Sequence, residues 1–459
     1  MKKFFISLLI TVFFSQNSYS SDAHINLFNL WLAENGFKQN VQEVDLCKKK
    51  KINKEIKEVC KNYPGGRWAF ENNLNIKFYD SAELPEKTAD KQSRLKANDD
   101  TLTYYLWRYL NKNWNSHIKY SDIKASKNPY KFTFDLREDA YVKEQMQETA
   151  LLSYLLYENG KIVIDEITPK EKFLGMFKND TRFQSQSNGK SIAAYIMGHA
   201  ICKQYIESVD VQLNDWPLLE NTLYYDVKLI DLLNMNAGDQ LYVKGNTFLK
   251  SKTKVAITHP TLKMAMNDYL KNSKKSKNEF NYNGLPPHIV LNYIIFKIGD
   301  EKYKELLNEI FTYKVRMEHN SFHPATESAS DLDKSTSSTM LATRYDYLRI
   351  AKAMLDDWKN DTCEGKFLKD IYDRRIKKTD FYVTDRKDHP SLYGTTEYAG
   401  FFHTGYVGIK DKPVLGMDGY GGQSILIDFE NERIVSVMAV HLNYDWKKIV
   451  FEKIKEGFN

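Results

Sequence analysis

Ser187 and Lys190 stand three residues apart in Thr181-Arg-Phe-Gln-Ser-Gln-Ser-Asn-Gly-Lys-Ser-Ile-Ala-Ala-Tyr-Ile-Met197. A hydroxyl and an amine at that spacing share one face of a helix and can meet as nucleophile and base. The spacing alone is not specific. It recurs at Ser93/Lys96, Ser116/Lys119, Ser121/Lys124 and Ser251/Lys254, all in polar, highly charged surroundings. Only Ser187 leads into a run, Ile192 to Cys202, that is apolar nearly all round and reads as a buried helix. A lysine at the edge of an apolar interior is driven toward its neutral form, and a neutral amine can take a proton from a hydroxyl. The start of the helix also turns unpaired N–H groups toward the serine, where they favour a developing oxyanion. The structural alternative is a buried helix whose first turn happens to contain Ser and Lys.

The elements that must position this pair are set by the rest of the chain. Its 459 residues are enough for two or three ordinary domains, or for one large domain with an extension. A hydrophobic content of 42% and an aromatic content of 14% support a substantial core. The net charge of +6 is small beside 66 basic and 60 acidic residues, so a nucleic-acid role has little support. The lysine run Lys48–Lys51 reads as a solvated surface segment. Lys2-Lys3, the apolar stretch from Phe4 to Phe14 and the small residues Ser18 and Ser20 have the form of an export leader over 1–20. That apolar stretch is too short to span a bilayer comfortably, and no later run is long enough, so the mature chain is expected to be periplasmic and without a membrane span. Four cysteines suit an oxidising compartment. Cys47 and Cys60, close in sequence, are the more expected disulfide, while Cys202 and Cys363 either pair or remain buried thiols. No Cys/His spacing resembles a zinc site, and no metal or cofactor is called for.

Residues 21–130 form an N-terminal extension with an amphipathic stretch from Leu27 to Phe37 and a helix expected around Leu102 to Trp114. The aromatic cluster there, Tyr104, Tyr105, Trp107, Tyr109 and Trp114, is read as packing, with a binding surface as the alternative. From 131 the pattern is regular. A helix is expected over 135–149. Strands follow over 151–157 and 161–167, joined by Glu158-Asn159-Gly160, because Asn-Gly tolerates the positive φ of a tight hairpin. After the Ser187 helix, a short helix within 227–238 is expected to stop at Gly238. Helices over 287–298 and 301–312 follow the turn-forming Phe280-Asn-Tyr282-Asn-Gly284. Polar residues 313–339 read as a long loop, and Thr343-x-x-Asp346 as a helix cap. The C-terminal part alternates strands and turns, including the glycine-rich 416–422 and the strands 423–429 and 433–442, and closes with a helix over 446–456. Helix, strands, helical middle, then strands and helix imply an α+β sheet completed by both ends of the chain.

Several separated segments together resemble the serine β-lactamase-like hydrolases, in the branch of class C β-lactamases, esterases and 6-aminohexanoate-dimer hydrolase. Ser187-x-x-Lys190 corresponds to the nucleophile motif. Val227-Lys-Leu-Ile-Asp-Leu-Leu-Asn-Met-Asn-Ala-Gly238 is similar to a segment downstream of it. Tyr282 falls at the tyrosine of the second motif, Ser338 to Leu348 at a characteristic helix start, and Gly419-Tyr-Gly-Gly-Gln-Ser-Ile-Leu-Ile-Asp428 at the third motif. The resemblance covers 131–459. It implies an antiparallel sheet flanked by helices, plus an all-helical subdomain.

By the same resemblance, Ser187 would be acylated, Lys190 would accept its proton, and Tyr282 would shuttle protons to the leaving group and later from water. A phenol titrates near about 10 and needs a nearby cation to act at neutral pH, for which Lys190 is the candidate. The backbone N–H groups of Ser187 and Tyr420 would form the oxyanion hole. Two departures stand out. The second motif reads Tyr282-Asn283-Gly284, so Asn283 is left out of the site. The third lacks the Lys-Thr-Gly of β-lactamases, and His403-Thr-Gly405 upstream reads as part of a preceding strand, with His403 a packing residue. An exported serine hydrolase of an ester or small amide is therefore expected. The alternatives are a D-Ala-directed carboxypeptidase or endopeptidase, and a non-catalytic binding protein that retains the fold.

Overall fold

The computed structural model describes residues 118–458 apart from 172–176, 251–261, 327–334, 337, 381–393, 420 and 440–443, together with the paired strands Gln42–Asp45 and Trp68–Glu71. The leader expected over 1–20, Leu27–Phe37, Lys48–Lys51, Leu102–Trp114, Cys47, Cys60 and Tyr420 lie outside the described residues.

The main sheet has nine strands among the described residues. In spatial order they are Ile376–Lys377, Thr395–Ala399, Phe402–Tyr406, Val414–Gly419, Gln423–Asp428, Arg433–Ala439, Leu151–Glu158, Lys161–Ile167 and Thr133–Phe134. The C-terminal strand Arg433–Ala439 pairs with the N-terminal Leu151–Glu158, so both ends of the chain complete one sheet, as the element order implies. Neighbours are antiparallel, except that Thr133–Phe134 runs parallel to Lys161–Ile167. Asn159 and Gly160 take φ of 51° and 81°, the two left-handed positions of a tight hairpin turn.

Alternation along Leu151–Glu158 serves two cores. Leu152 and Leu155 point into a large core that also holds the helix Asn188–Cys202. Leu151, Tyr154 and Leu156 pack with Val142, Trp446 and Ile449 on the opposite face. The sheet is therefore covered by helices on both sides, giving the α+β architecture. A second sheet, of five strands among the described residues, joins Arg182–Gln184 through Leu341–Thr343 to Ser321–Thr326, which pairs with Ile118–Ile123 and Ser335–Thr336.

Four local expectations change. Residues 135–139 are not helical: Asp135 and Arg137 donate backbone bonds to Ile162 and Val163, and the helix begins at Ala140 after Asp139, whose carboxylate caps Tyr141 and Val142. The short helix Leu229–Leu233 ends before Gly238, because Met235 already takes φ 52°. The helix expected from 287 starts at Leu285, since prolines 286 and 287 lose no bond in a first turn. Residues 313–339 are not a single loop, because Ser321–Thr326 is a strand whose partner lies about two hundred residues earlier in the chain. Thr343 caps the helix Arg344–Lys359 and accepts from the Asp346 N–H, as its motif implies. Cys202 and Cys363, left open by the sequence, form a disulfide between the ends of two helices.

Arg344 ties helix to sheet. It is fully buried, pairs with Asp165 at 2.6 Å, and donates to Ser153 Oγ at 2.7 Å and to the Glu166 carbonyl at 2.8 Å. Removing it takes the guanidinium donors from Ser153 and the Glu166 carbonyl and leaves Asp165 with the Tyr345 hydroxyl but no cation, so Arg344→Ala is expected to lower stability by about 3–5 kcal/mol in denaturant titrations.

Candidate active site

Ser187 sits at the N-terminus of the Asn188–Cys202 helix, one residue after Gln186, which takes the left-handed φ of 50°. The turn carrying Ser187 is clamped from behind. The Ser185 N–H donates to the Met340 carbonyl at 2.8 Å, and Ser185 Oγ accepts the Met340 N–H at 2.8 Å. Tyr347 donates its hydroxyl to both the Phe183 and Met340 carbonyls. Gly189 passes so close to Ser338 that a Cβ there would lie 1.9 Å from the Ser338 carbonyl oxygen. Ser191 Oγ anchors the next turn by donating to the Phe401 carbonyl at 2.6 Å.

Lys190 is buried, and its Nζ lies 2.7 Å from Ser187 Oγ. The same Nζ is 5.0 Å from the centre of the Tyr282 ring, so the structure brings the three residues expected from the motifs together. His288, on the helix Leu285–Ile298, is pushed down to about 4 by burial and by the Lys190 charge, and so stays neutral. The glycine turn reaches the same place. A Cβ on Gly419 would lie 2.8 Å from the Ser185 carbonyl oxygen and 3.1 Å from Asn188 Oδ1. Tyr420 itself is not described; its flank is closed by the bond from the Gly422 N–H to the Gly419 carbonyl, with Gly421 and Gly422 at φ 90° and 97°.

Sequence reasoning missed what holds Tyr282. Asp239, almost fully buried, accepts Asn281 Nδ2 at 2.6 Å, Asn283 Nδ2 at 2.9 Å and the Tyr224 hydroxyl at 2.6 Å. The residues on both sides of Tyr282 are thus fastened to one carboxylate. Asn283 points into this network. The available signal was the single acidic residue directly after the apolar segment ending at Gly238. Burial raises the Asp239 carboxyl, and its three donors oppose that rise. The 227–238 segment also supports the site from below: Asn234 Oδ1 accepts the Gly400 N–H at 2.8 Å, and the Leu233 carbonyl accepts the Phe401 N–H. His403 lies in the strand Phe402–Tyr406, as read from sequence. Its Nδ1 is 2.8 Å from Lys378 Nζ, an approach that sequence did not reveal.

The chain superposes on a protein from Bacillus anthracis described as a 6-aminohexanoate-dimer hydrolase, with a TM-score of 0.54 and 12% identity over 77% of this chain and 92% of that one. The chain has the fold of the serine β-lactamase-like hydrolases. A penicillin-binding protein from Bacillus halodurans aligns over 70% of this chain and all of its own at 13% identity and a TM-score of 0.48, and a β-lactamase-described protein from Bacteroides dorei over 65% and 87% at 15% and 0.46. No family model and no curated protein matches the sequence. Within this β-lactamase-like fold no described helix is long and apolar enough to cross a membrane. No group of three or more His, Cys, Asp or Glu among the described residues could hold a metal ion.

The contact at Gly189 is backbone against backbone and cannot be relieved by a rotamer change. Gly189→Ala is therefore expected to move the first helical turn away from Ser338 and to lower stability by about 1–3 kcal/mol, read from chemical denaturation.

Proposed function

We propose that the protein is an exported serine hydrolase that cleaves an ester or small amide through an acyl-enzyme on Ser187. The observation that carries this reading is the 2.7 Å approach of the buried Lys190 amine to the Ser187 hydroxyl, with the Tyr282 ring against the same amine. In its neutral form Nζ takes the Oγ–H proton as Oγ attacks the substrate carbonyl. The carbonyl π pair moves onto oxygen, where the N–H groups of Ser187 and Tyr420 receive it; one such donor is worth roughly 2.7–4 kcal/mol. The tetrahedral carbon then expels the alkoxide or amine, which takes its proton from the Tyr282 hydroxyl. The tyrosine recovers a proton from the lysine or from the incoming water. Water attacks the acyl carbon with its proton passing the same way, and Ser187 is released.

The substrate class follows from what lies at the glycine turn. The strand running into it presents buried Met417 and Asp418 rather than a cation. That strand carries no lysine or arginine to receive a substrate carboxylate, so a neutral acyl substrate is favoured over a β-lactam or a peptide ending in D-Ala. Export rests on the leader at 1–20.

A fluorophosphonate probe is expected to add one adduct to the mature protein by intact mass, and short-chain p-nitrophenyl esters to be hydrolysed. Ser187→Ala should lose the adduct and at least roughly 10³-fold of the rate. An undiminished rate in that variant would place the nucleophile elsewhere, an unmodified wild-type protein would favour a binding role, and D-Ala release from muropeptides would replace the ester by a cell-wall peptide.

A further inference from the structure

Three buried ionisable side chains lie behind Tyr282 and take no part in the steps above. Lys378, His403 and Asp418 are 5%, 2% and 6% exposed. They come from neighbouring parts of the main sheet: Lys378 directly after Ile376–Lys377, His403 in Phe402–Tyr406, and Asp418 in Val414–Gly419. The Lys378 backbone is fixed by its bond to the Thr396 carbonyl at 2.9 Å. Its Nζ donates to Thr395 Oγ1 and lies 2.8 Å from His403 Nδ1. On the other side of the imidazole, Nε2 is 3.9 Å from Asp418 Oδ2. Asp418 Oδ1 accepts Ser424 Oγ at 3.1 Å, which itself accepts Trp446 Nε1 at 3.0 Å.

The imidazole therefore stands between an amine and a carboxylate, and the face of this array meets the site. The His403 ring is 5.9 Å from the Tyr282 ring, and Tyr398 packs edge-on against both, at 5.1 Å from His403 and 6.1 Å from Tyr282. Tyr282 thus meets both the Lys190 amine and the His403 ring, and Lys378 bonds the latter. A protonated Lys378 can only donate, so it makes Nδ1 the acceptor and leaves the His403 proton on Nε2, facing Asp418. A neutral Lys378 has a lone pair besides its N–H groups, so it can accept instead and let the imidazole carry its proton on Nδ1.

We propose that Lys378, His403 and Asp418 form a buried charge relay that holds Tyr282 and, through the proton on Lys378, sets the field in which its phenol works. The three are positioning residues, and their effect on the reaction rests on the role proposed above for Tyr282. Burial brings the Lys378 amine down to about 7, with the Asp418 charge pulling it the other way. The relay is cationic at Lys378 below that pH and loses the charge above it. The His403 imidazole, which contacts both Lys378 and the Tyr282 ring, carries that change of charge to the ring. The other groups beside the array are Tyr398, Tyr406 and Tyr444, while Lys190 lies against the Tyr282 ring with His288 next to Lys190. Burial holds Tyr398, Tyr406 and Tyr444 protonated, and His288 is neutral, so these four do not change charge near neutrality.

The test uses the mature chain labelled with [13Cζ]tyrosine, with the Tyr282 resonance assigned from Tyr282→Phe. The expected result is an inflection of the Tyr282 shift near pH 7 that disappears in Lys378→Met and moves to lower pH in Asp418→Asn. A [15N]histidine spectrum of the unaltered protein needs no variant: the His403 nitrogens should show the Nε2–H tautomer below the same inflection and change above it. An unmoved Tyr282 resonance and an unchanging His403 tautomer across pH 5–9, or an identical inflection in Lys378→Met, overturns the relay. Fluorophosphonate labelling of the same samples separates the two proposals. A protein that is labelled but whose Tyr282 ignores Lys378 rejects the relay and keeps the hydrolase. One that tracks Lys378 but takes no label rejects the hydrolase and keeps the relay.

Discussion

An amine held 2.7 Å from a hydroxyl, in a place almost closed to water, is the constraint on which the rest of this structure depends. Lys190 cannot reach bulk solvent as a surface lysine does, so its polar head must find its partners inside the fold. Ser187 supplies one, and the Tyr282 ring supplies an electron-rich face. Both partners have to be delivered by backbone that does not shift. That explains the density of short backbone bonds around Ser185 and Met340 and the glycine at 189, where no side chain fits against Ser338.

Tyr282 is delivered differently. It lies in a turn rather than in a regular element, and turns are held by their own polar groups. Here a single carboxylate, Asp239, receives the side chains of both flanking asparagines and a tyrosine hydroxyl from an earlier loop. Three donors around one buried acceptor offset its desolvation and leave the turn little freedom. From the sheet side, His403 and Tyr398 close on the same ring. The tyrosine is therefore fixed by polar bonds to its flanking residues and by aromatic packing from the sheet.

The two cores divide the labour. The face that carries the helix Asn188–Cys202 holds Lys190 and the packing around Tyr282, whereas the opposite face is built from Val142, Tyr154, Trp446 and Ile449. Arg344 bonds the helical layer to the sheet edge through Asp165, Ser153 and Glu166, and the Cys202–Cys363 bridge joins the far end of the Ser187 helix to the next helical unit. The glycine turn after Gly419 and the start of the Ser187 helix thereby keep a fixed separation although they belong to different layers.

What the sequence determined by itself was local. The Asn159-Gly160 hairpin, the cap at Thr343 and the apolar run after Ser187 all follow from backbone preferences and side-chain periodicity within a few residues. The order of the motifs was enough to expect Ser187, Lys190 and Tyr282 together. The tertiary structure alone decided the partners that lie far apart in the chain: Ser321–Thr326 against Ile118–Ile123, Cys202 with Cys363, Asp239 beneath Tyr282, and Lys378 against His403. None of these has a local signature, because a hydrogen bond or ion pair between distant residues leaves the composition around each of them unchanged. A polar stretch such as 313–339 or a lone histidine such as His403 takes its meaning only from what folding places opposite it.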